Sequence, residues 1–106
     1  MPTRAKGKLN RQAILRRLRQ NRPLLEKHAA RRVALFGSYA GDRATAKSDI
    51  DLLVEFERPT FDNLVGLSRD LERLFGRKVD ILTPLGLESI RVKEIADGIR
   101  KTLAYV

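Results

Sequence analysis

Two short polar segments of the chain contain residue types that bind phosphate and metal ions. Gly37-Ser38 follows the apolar run Val33–Phe36, and Asp49-Ile50-Asp51 opens a second apolar run. Glycine lets a backbone approach a ligand closely, and a helical turn beginning here would offer free N–H groups and a serine hydroxyl to phosphate. Because strand-Gly-Ser turns are common, this segment alone is a weak signal, and the interpretation depends on the second segment.

The two aspartates of the second segment are one residue apart at the start of a predicted strand. Side chains alternate along a strand, so Asp49 and Asp51 point to the same face. Mg²⁺ prefers oxygen ligands and is usually held by a few carboxylates together with substrate phosphates. Two crowded acids also repel each other, which favours a cation between them. The alternative is a pair of surface aspartates in a turn.

Asp80 is a third carboxylate of interest. It interrupts the apolar run Val79–Leu82, where a charge is costly unless it is paired or bound to a metal. If its strand lies beside the strand that begins near Asp49, three carboxylates could hold two metal ions and take up a proton from an attacking hydroxyl. Taken alone, Asp80 is better explained as an edge-strand residue that faces water.

Apolar periodicity predicts the elements that position these residues. Three strands are predicted, at residues 33–36, 50–56 and 79–82. Helices are predicted to follow three N-cap residues, Asn10, Thr60 and Ser89, with Gly76 as a C-cap and a short helical piece from Leu24 to Ala30. A loop with one helical turn after Ser38 joins the first two strands. This order predicts an α/β (α+β) class, a small mixed β-sheet with helices packed on it.

Length and composition indicate one domain of 106 residues. The absence of cysteine excludes disulfides and cysteine-based zinc sites, and the lone His28, expected on a helix surface, cannot build a metal cluster. No apolar run approaches the length of a membrane span or a signal peptide core. We therefore expect a cytoplasmic protein without a membrane partner.

The net charge of +9 is concentrated at one end of the chain. Residues 1–32 contain eleven Lys and Arg but a single acid, Glu26, and the remaining residues have a charge near zero. We expect a basic mobile arm over residues 1–9 and a single domain over 10–106. The charge indicates an acidic partner, nucleic acid or a polyphosphate, or else a solvated helix face. Nucleic acid is not favoured because the basic segment has no aromatic residue for base stacking.

The combined motif resembles that of a known family. Gly37-Ser38, ten residues and then Asp49-x-Asp51 is similar to the Gly-Ser-x10-Asp-x-Asp signature of the DNA polymerase β-like nucleotidyltransferase superfamily. The segments 35–40, 48–56 and 78–84 resemble the minimal nucleotidyltransferases (MNT) of that superfamily, and the resemblance covers about residues 10–106.

This resemblance implies a polymerase β-like nucleotidyltransferase fold and a set of roles. Asp49 and Asp51 would ligate two Mg²⁺ ions, Asp80 would be the third catalytic and metal-binding carboxylate, and Gly37 and Ser38 would hold the β- and γ-phosphates. A hydroxyl would attack the α-phosphate of a nucleoside triphosphate, with AMP transferred from ATP. Many relatives have Arg-Gly where this chain has Gly41-Asp42-Arg43, so either Arg43 takes over nucleotide binding or nucleotide affinity is reduced.

The resemblance also implies a partner protein. MNT proteins resemble antitoxins that pair with a small helical HEPN-type toxin and transfer AMP to a hydroxyl on it. Two alternatives stay open at this point. The chain could be a weak or inactive nucleotidyltransferase fold that neutralises a toxin by masking it, or a basic protein that binds nucleic acid.

Overall fold

A computed structural model describes residues 9–41, 43–45 and 47–106 of the chain. The strands are β1 (Ala30–Phe36), β2 (Ile50–Phe56), β3 (Val79–Leu82) and β4 (Ala104–Tyr105). The helices are α1 (Arg11–Gln20), α2 (Arg22–Lys27), α3 (Phe61–Phe75), α4 (Pro84–Glu88) and α5 (Lys93–Thr102).

These strands form one mixed sheet in the order β3-β2-β1-β4. β1 runs antiparallel to both β2 and β4, whereas β2 and β3 are parallel. The parallel pair is joined through α3, as a crossover between parallel strands requires. The predicted class, a small mixed sheet with helices packed on it, is confirmed.

Both faces of the sheet are covered. On one face, Leu35, Ile50 and Leu52 are fully buried against Leu18 of α1 and Leu67 of α3. On the other face a smaller cluster forms below α4 and α5, and its buried members are Ala34, Leu53, Leu87 and Ala96. Because side chains alternate along β2, Asp51 lies on the face of the smaller cluster, beyond its edge.

Several predicted helix ends are confirmed. The Asn10 side chain accepts a hydrogen bond from the Ala13 N–H at 2.8 Å, and the Thr60 hydroxyl accepts one from the Asn63 N–H at 3.1 Å. Gly76 ends α3 with a φ of 66°, in the left-handed region that glycine occupies without steric cost. These caps fix α1 and α3, which carry most of the larger core.

The prediction for the last helix is wrong at its start. Ser89 ends α4 instead of beginning α5, which follows Val92. The short α4 was not predicted. It begins where the Thr83 hydroxyl accepts a hydrogen bond from the Gly86 N–H at 3.1 Å, with Pro84 in the first turn.

The region between α2 and β1 also differs from the prediction. The second helical piece ends at Lys27 instead of reaching Ala30, because Ala29 has a φ of 59° and breaks the helix. β1 then begins at Ala30, three residues before the predicted start. Its first residues include the exposed Arg31 and Arg32, which give no apolar signal.

The predicted arm over residues 1–9 lies outside the described residues except for Leu9, which is partly buried against the larger core. Within the described ranges, no helix combines the length and apolar character that a membrane-spanning segment needs.

Candidate active site

The segment after β1 forms a turn. The Gly41 N–H donates to the Gly37 carbonyl at 3.1 Å, and the Arg43 N–H donates to the Ser38 carbonyl at 2.9 Å. The buried Tyr39, only 3% exposed, anchors this turn in the larger core. Within the described part of the chain, the N–H groups of residues 38–40 have no backbone acceptor, as in the first turn of a helix. This arrangement offers N–H groups to a phosphate.

Gly37 is required at this turn for two reasons. Its φ of 79° lies in the left-handed region, which costs other residues about 1–2 kcal/mol. A Cβ at this position would also overlap Oδ2 of Asp51 and lie 3.2 Å from its Cγ. The aspartate therefore lies directly against the backbone of the turn, and the predicted phosphate and metal segments meet.

The third predicted carboxylate joins this pair through strand pairing. β2 and β3 are parallel with Asp51 beside Asp80, and the Ile50 N–H donates to the Lys78 carbonyl at 3.0 Å. Burial raises the pKa of the Asp51 carboxyl, and the negative charges of Asp80 and Asp49 raise it further. Asp80 and Asp49 are thus both close enough to Asp51 to repel its charge, and Asp51 is the one of the three that contacts the turn at Gly37.

Asp80 nevertheless points partly away from the other two. Its side chain is 51% exposed, and Oδ1 lies 3.9 Å from Nζ of Lys78. In the described part of the chain, no three His, Asp or Glu side chains are grouped as a metal site. Repulsion among the carboxylates and attraction to Lys78 both favour this orientation.

The donor atoms themselves suit a divalent cation. Carboxylate oxygens are hard ligands of the kind that Mg²⁺ takes. The raised pKa of Asp51 shows that the negative charge at this position is poorly compensated by the protein. The oxygen ligands therefore suit the expected metal in kind. Asp51 is the second residue of β2, Asp49 directly precedes that strand, and Asp80 of β3 pairs beside Asp51.

Arg43 lies next to the turn, as the nucleotide-binding prediction requires. A Cβ placed on Gly41 would be 3.5 Å from its Nε, so the exposed side chain folds back over the turn. Asp42, the acid that distinguishes this loop from many relatives, lies outside the described residues. The displaced arginine can thus reach the region of Gly37 and Ser38 from within the same loop.

The contacts of two polar residues, Lys78 and His28, were not predicted from the sequence. Lys78 is paired with Asp80, and its position two residues before Asp80, directly ahead of β3, was the available signal. His28 was expected on a helix surface, which is wrong: its side chain is only 12% exposed and its Nε2 lies 2.7 Å from Oδ2 of Asp70. His28 ties α2 to α3 and takes no part in the site.

A mixed sheet with aspartates next to a Gly-Ser turn is the arrangement expected of a nucleotidyltransferase. The family model described as a nucleotidyltransferase domain matches residues 12–103. The chain belongs to this family and is a transferase enzyme.

Curated and solved relatives agree with this class. The chain is 38% identical over 93 residues to the Methanocaldococcus jannaschii protein named "Putative protein adenylyltransferase MJ1379", covering 84% of this chain and 90% of that protein. It is 34% identical over 84 residues to "Protein adenylyltransferase MntA" of Thermococcus cleftensis, covering 78% and 81% of the two chains. A solved "putative minimal nucleotidyltransferase" superposes with a TM-score of 0.71 at 28% identity, covering 92% of this chain and 97% of the other.

Proposed function

We propose that this nucleotidyltransferase transfers AMP from ATP to a hydroxyl of a protein partner. The observation that carries the proposal is the in-register pair Asp51 and Asp80 beside the Gly37 turn. The contact of the Asp51 carboxylate with the backbone of Gly37 supports the proposal, because this turn would hold phosphate. The names of the curated relatives, which are protein adenylyltransferases, support AMP and a protein acceptor.

The phosphate end of the site is the turn. The N–H groups after Gly37, which have no backbone acceptor among the described residues, and the Ser38 hydroxyl donate hydrogen bonds to the β- and γ-phosphates in this proposal. The Arg43 guanidinium adds positive charge from the exposed side of the loop. These groups fix the triphosphate so that its α-phosphate lies toward the carboxylates.

The carboxylate end serves transfer. Asp49, Asp51 and Asp80 would hold Mg²⁺, two ions in the proposal, which would neutralise charge on the triphosphate. The acceptor oxygen attacks the α-phosphorus, the bond from that phosphorus to the bridging oxygen breaks, and pyrophosphate leaves. Asp80 takes the proton of the attacking hydroxyl, a role that suits its half-exposed position at the rim.

The acceptor belongs to a partner in this proposal. Two solved complexes with this fold, each at under 25% identity, are described as toxin–antitoxin structures, and one contains AMP-PNP. We propose by analogy that this chain is the antitoxin of such a pair, that its partner is a small helical HEPN-type toxin, and that the pair acts in the cytoplasm.

The test is transfer from α-labelled nucleotide. The purified chain is incubated with Mg²⁺, each α-labelled triphosphate in turn, and a candidate toxin or host lysate, and labelled proteins are identified by mass spectrometry. We expect labelling from ATP, and a fall of at least about 10²-fold for Asp49→Asn or Asp51→Asn, the size typical of losing one electrostatic group at a transition state.

The matched control is Asp97→Asn. This aspartate is half-exposed on α5 and pairs with the neighbouring Arg100 at 3.3 Å, so its loss removes the same charge from an element outside the turn. Its transfer rate should equal that of the unchanged chain. Tight complex formation with a toxin but no labelling would instead assign neutralisation by masking.

A further inference from the structure

A second polar cluster lies along β1, on the amino-terminal side of Gly37. It is built around Tyr105 of β4, which pairs with Ala34 of β1. Five arginines of the described residues contact Tyr105 or line a cavity with it, and we call them the arginine cluster: Arg19, Arg22, Arg31, Arg32 and Arg100. They come from four elements: the consecutive α1, α2 and β1, and α5, which is distant from them in the chain.

The centre of the cluster is a stacked pair. The Arg32 guanidinium carbon lies 4.6 Å from the centroid of the Tyr105 ring, within the range of a cation–π contact. Tyr105 is 48% exposed as a residue, so part of its surface stays open to a ligand. The Arg19 side chain donates to the Tyr105 carbonyl at 3.5 Å and so lies beside the same residue.

Two cavities adjoin this stack, and both are lined by Arg32 and Tyr105. The larger, of about 480 Å³, also contains Arg22 and Arg31, and the smaller, of about 360 Å³, contains Arg100. A cavity of this size holds a nucleotide-sized group. The cluster therefore combines positive charge, an accessible aromatic ring and space.

The nearby acids do not cancel this charge. Glu55 lies 3.9 Å from both Arg31 and Arg32, at the limit of an ion pair, and those arginines are 64% and 58% exposed. Exposed pairs of this kind contribute little. Glu26 and Glu57 also line the larger cavity, and Asp97 pairs with Arg100 at 3.3 Å, so the five guanidinium groups face four carboxylates.

We propose that the arginine cluster and Tyr105 bind single-stranded nucleic acid. Guanidinium groups bind phosphate through paired N–H donors, and an exposed aromatic ring lets a base stack on it. An acidic peptide would use the charge but not the ring. The sequence does not favour nucleic acid because residues 1–32 contain no aromatic residue for base stacking. In the folded protein, Tyr105 from the other end of the chain lies beside Arg32 and provides such a ring.

This surface is separate from the proposed adenylylation site. Arg32 is five residues from Gly37, about 16 Å at the usual rise of an extended chain, and Ala34, the partner of Tyr105, is three residues or about 10 Å from Gly37. Nucleic-acid binding by the cluster therefore does not depend on the acids, and either proposal can fail without the other.

The test measures binding of a fluorescent 12-nucleotide RNA, and of the matching DNA, to the full chain over a range of salt concentrations. Arg22→Ala/Arg32→Ala should weaken binding at least tenfold and reduce the slope of log affinity against log salt by about 1.4, since each phosphate contact in a single strand contributes about 0.7. Arg69→Ala/Arg91→Ala removes two exposed arginines elsewhere and should change neither quantity.

The role of the ring is tested separately. Tyr105→Ala should weaken binding about tenfold, the order expected for one stacked base, while Tyr105→Phe should bind like the unchanged chain. Asp51→Asn, which should stop transfer, should leave this binding intact.

Three outcomes would overturn the proposal. The first is equal loss in the two arginine pairs, and the second is undiminished binding by Arg22→Ala/Arg32→Ala, which would assign the affinity to other basic residues such as those of 1–8. The third is displacement of the RNA by poly-glutamate at equal charge concentration, which would show a surface for acidic peptides.

Discussion

The two ends of β1 collect charged groups of opposite sign in different ways. At its carboxyl end, Gly37 contacts Asp51, and the parallel pairing of β2 and β3 adds Asp80. At its amino end, Arg32 stacks on Tyr105, and further arginines come from three other elements. The acidic end is assembled by strand register from a compact motif, whereas the arginine end is assembled by tertiary packing. Substitutions at one end should therefore leave the other unchanged.

The largest expected effect is that of Gly37→Ala at the acidic end. The new methyl group would meet the Asp51 carboxylate in addition to the strained φ, so we expect transfer to fall at least about 10²-fold and unfolding free energy to fall by about 1–3 kcal/mol. Urea denaturation and the labelling assay measure the two effects.

Gly76→Ala is the control for this prediction. Gly76 also has a positive φ, of 66°, but a Cβ there would meet nothing within 4 Å. It should cost about 1 kcal/mol through backbone strain alone and leave transfer unchanged. Equal effects of the two substitutions on transfer would show that the contact with Asp51 has no catalytic meaning.

The next effect concerns stability at the acidic end. Burial and the charges of Asp80 and Asp49 raise the pKa of Asp51 above its ordinary value of 3.8, so ionisation of this group disfavours the folded state. The penalty develops as pH rises through 3.8 toward the raised pKa and persists at neutral pH. Asp51→Asn should therefore be more stable than the unchanged chain at pH 7, with the difference shrinking near pH 3.8.

A smaller effect of opposite sign on the stability of the folded state is expected for Asp70 of α3, which lies at neither end of β1. The hydrogen bond from His28, with help from the charges of Lys27 and Arg73, holds the pKa of Asp70 below 3.8. Its ionised form then stabilises the folded state above that value, and the contribution is lost as pH falls through the lowered pKa. Asp70→Asn should be less stable than the unchanged chain at pH 7.

Urea denaturation at pH 7 and at pH 3 compares the two substitutions directly. Neither transfer nor oligonucleotide binding should respond to Asp70→Asn, because this residue lies at neither end. Stabilisation by Asp70→Asn, or destabilisation by Asp51→Asn at pH 7, would contradict the assigned pKa directions.

The acidic end could be predicted from the sequence because its residues carry local signals. A glycine after a buried strand, two aspartates at period two and a charge within an apolar strand are each visible within a few residues. The pairing of Asp51 with Asp80 could be predicted only on the condition that β2 and β3 are neighbours, because packing determines the order of the strands. Helix ends with side-chain caps, at Asn10 and Thr60, were also accessible for the same local reason.

The arginine end could not be predicted in this way. Arg31 and Arg32 belong to a strand whose exposed start has no apolar pattern, and β4 is only two residues long. Its contact with β1 joins opposite ends of the chain, which no local spacing reveals. The partial burial of His28 was missed for a similar reason. Its ring packs against Gly66, where a Cβ would lie 2.7 Å from the ring, and only folding brings these two residues together.

The most direct test of the central claim, that the acidic end carries out nucleotidyl transfer, compares ATP labelled at the α- or the γ-phosphate. With Mg²⁺ and a protein acceptor, we predict that the acceptor gains label from the α-phosphate only, with release of one pyrophosphate for each AMP added, and that EDTA stops the reaction. Label from the γ-phosphate on the acceptor, or label from the α-phosphate that persists in Asp49→Asn/Asp51→Asn, would contradict this account.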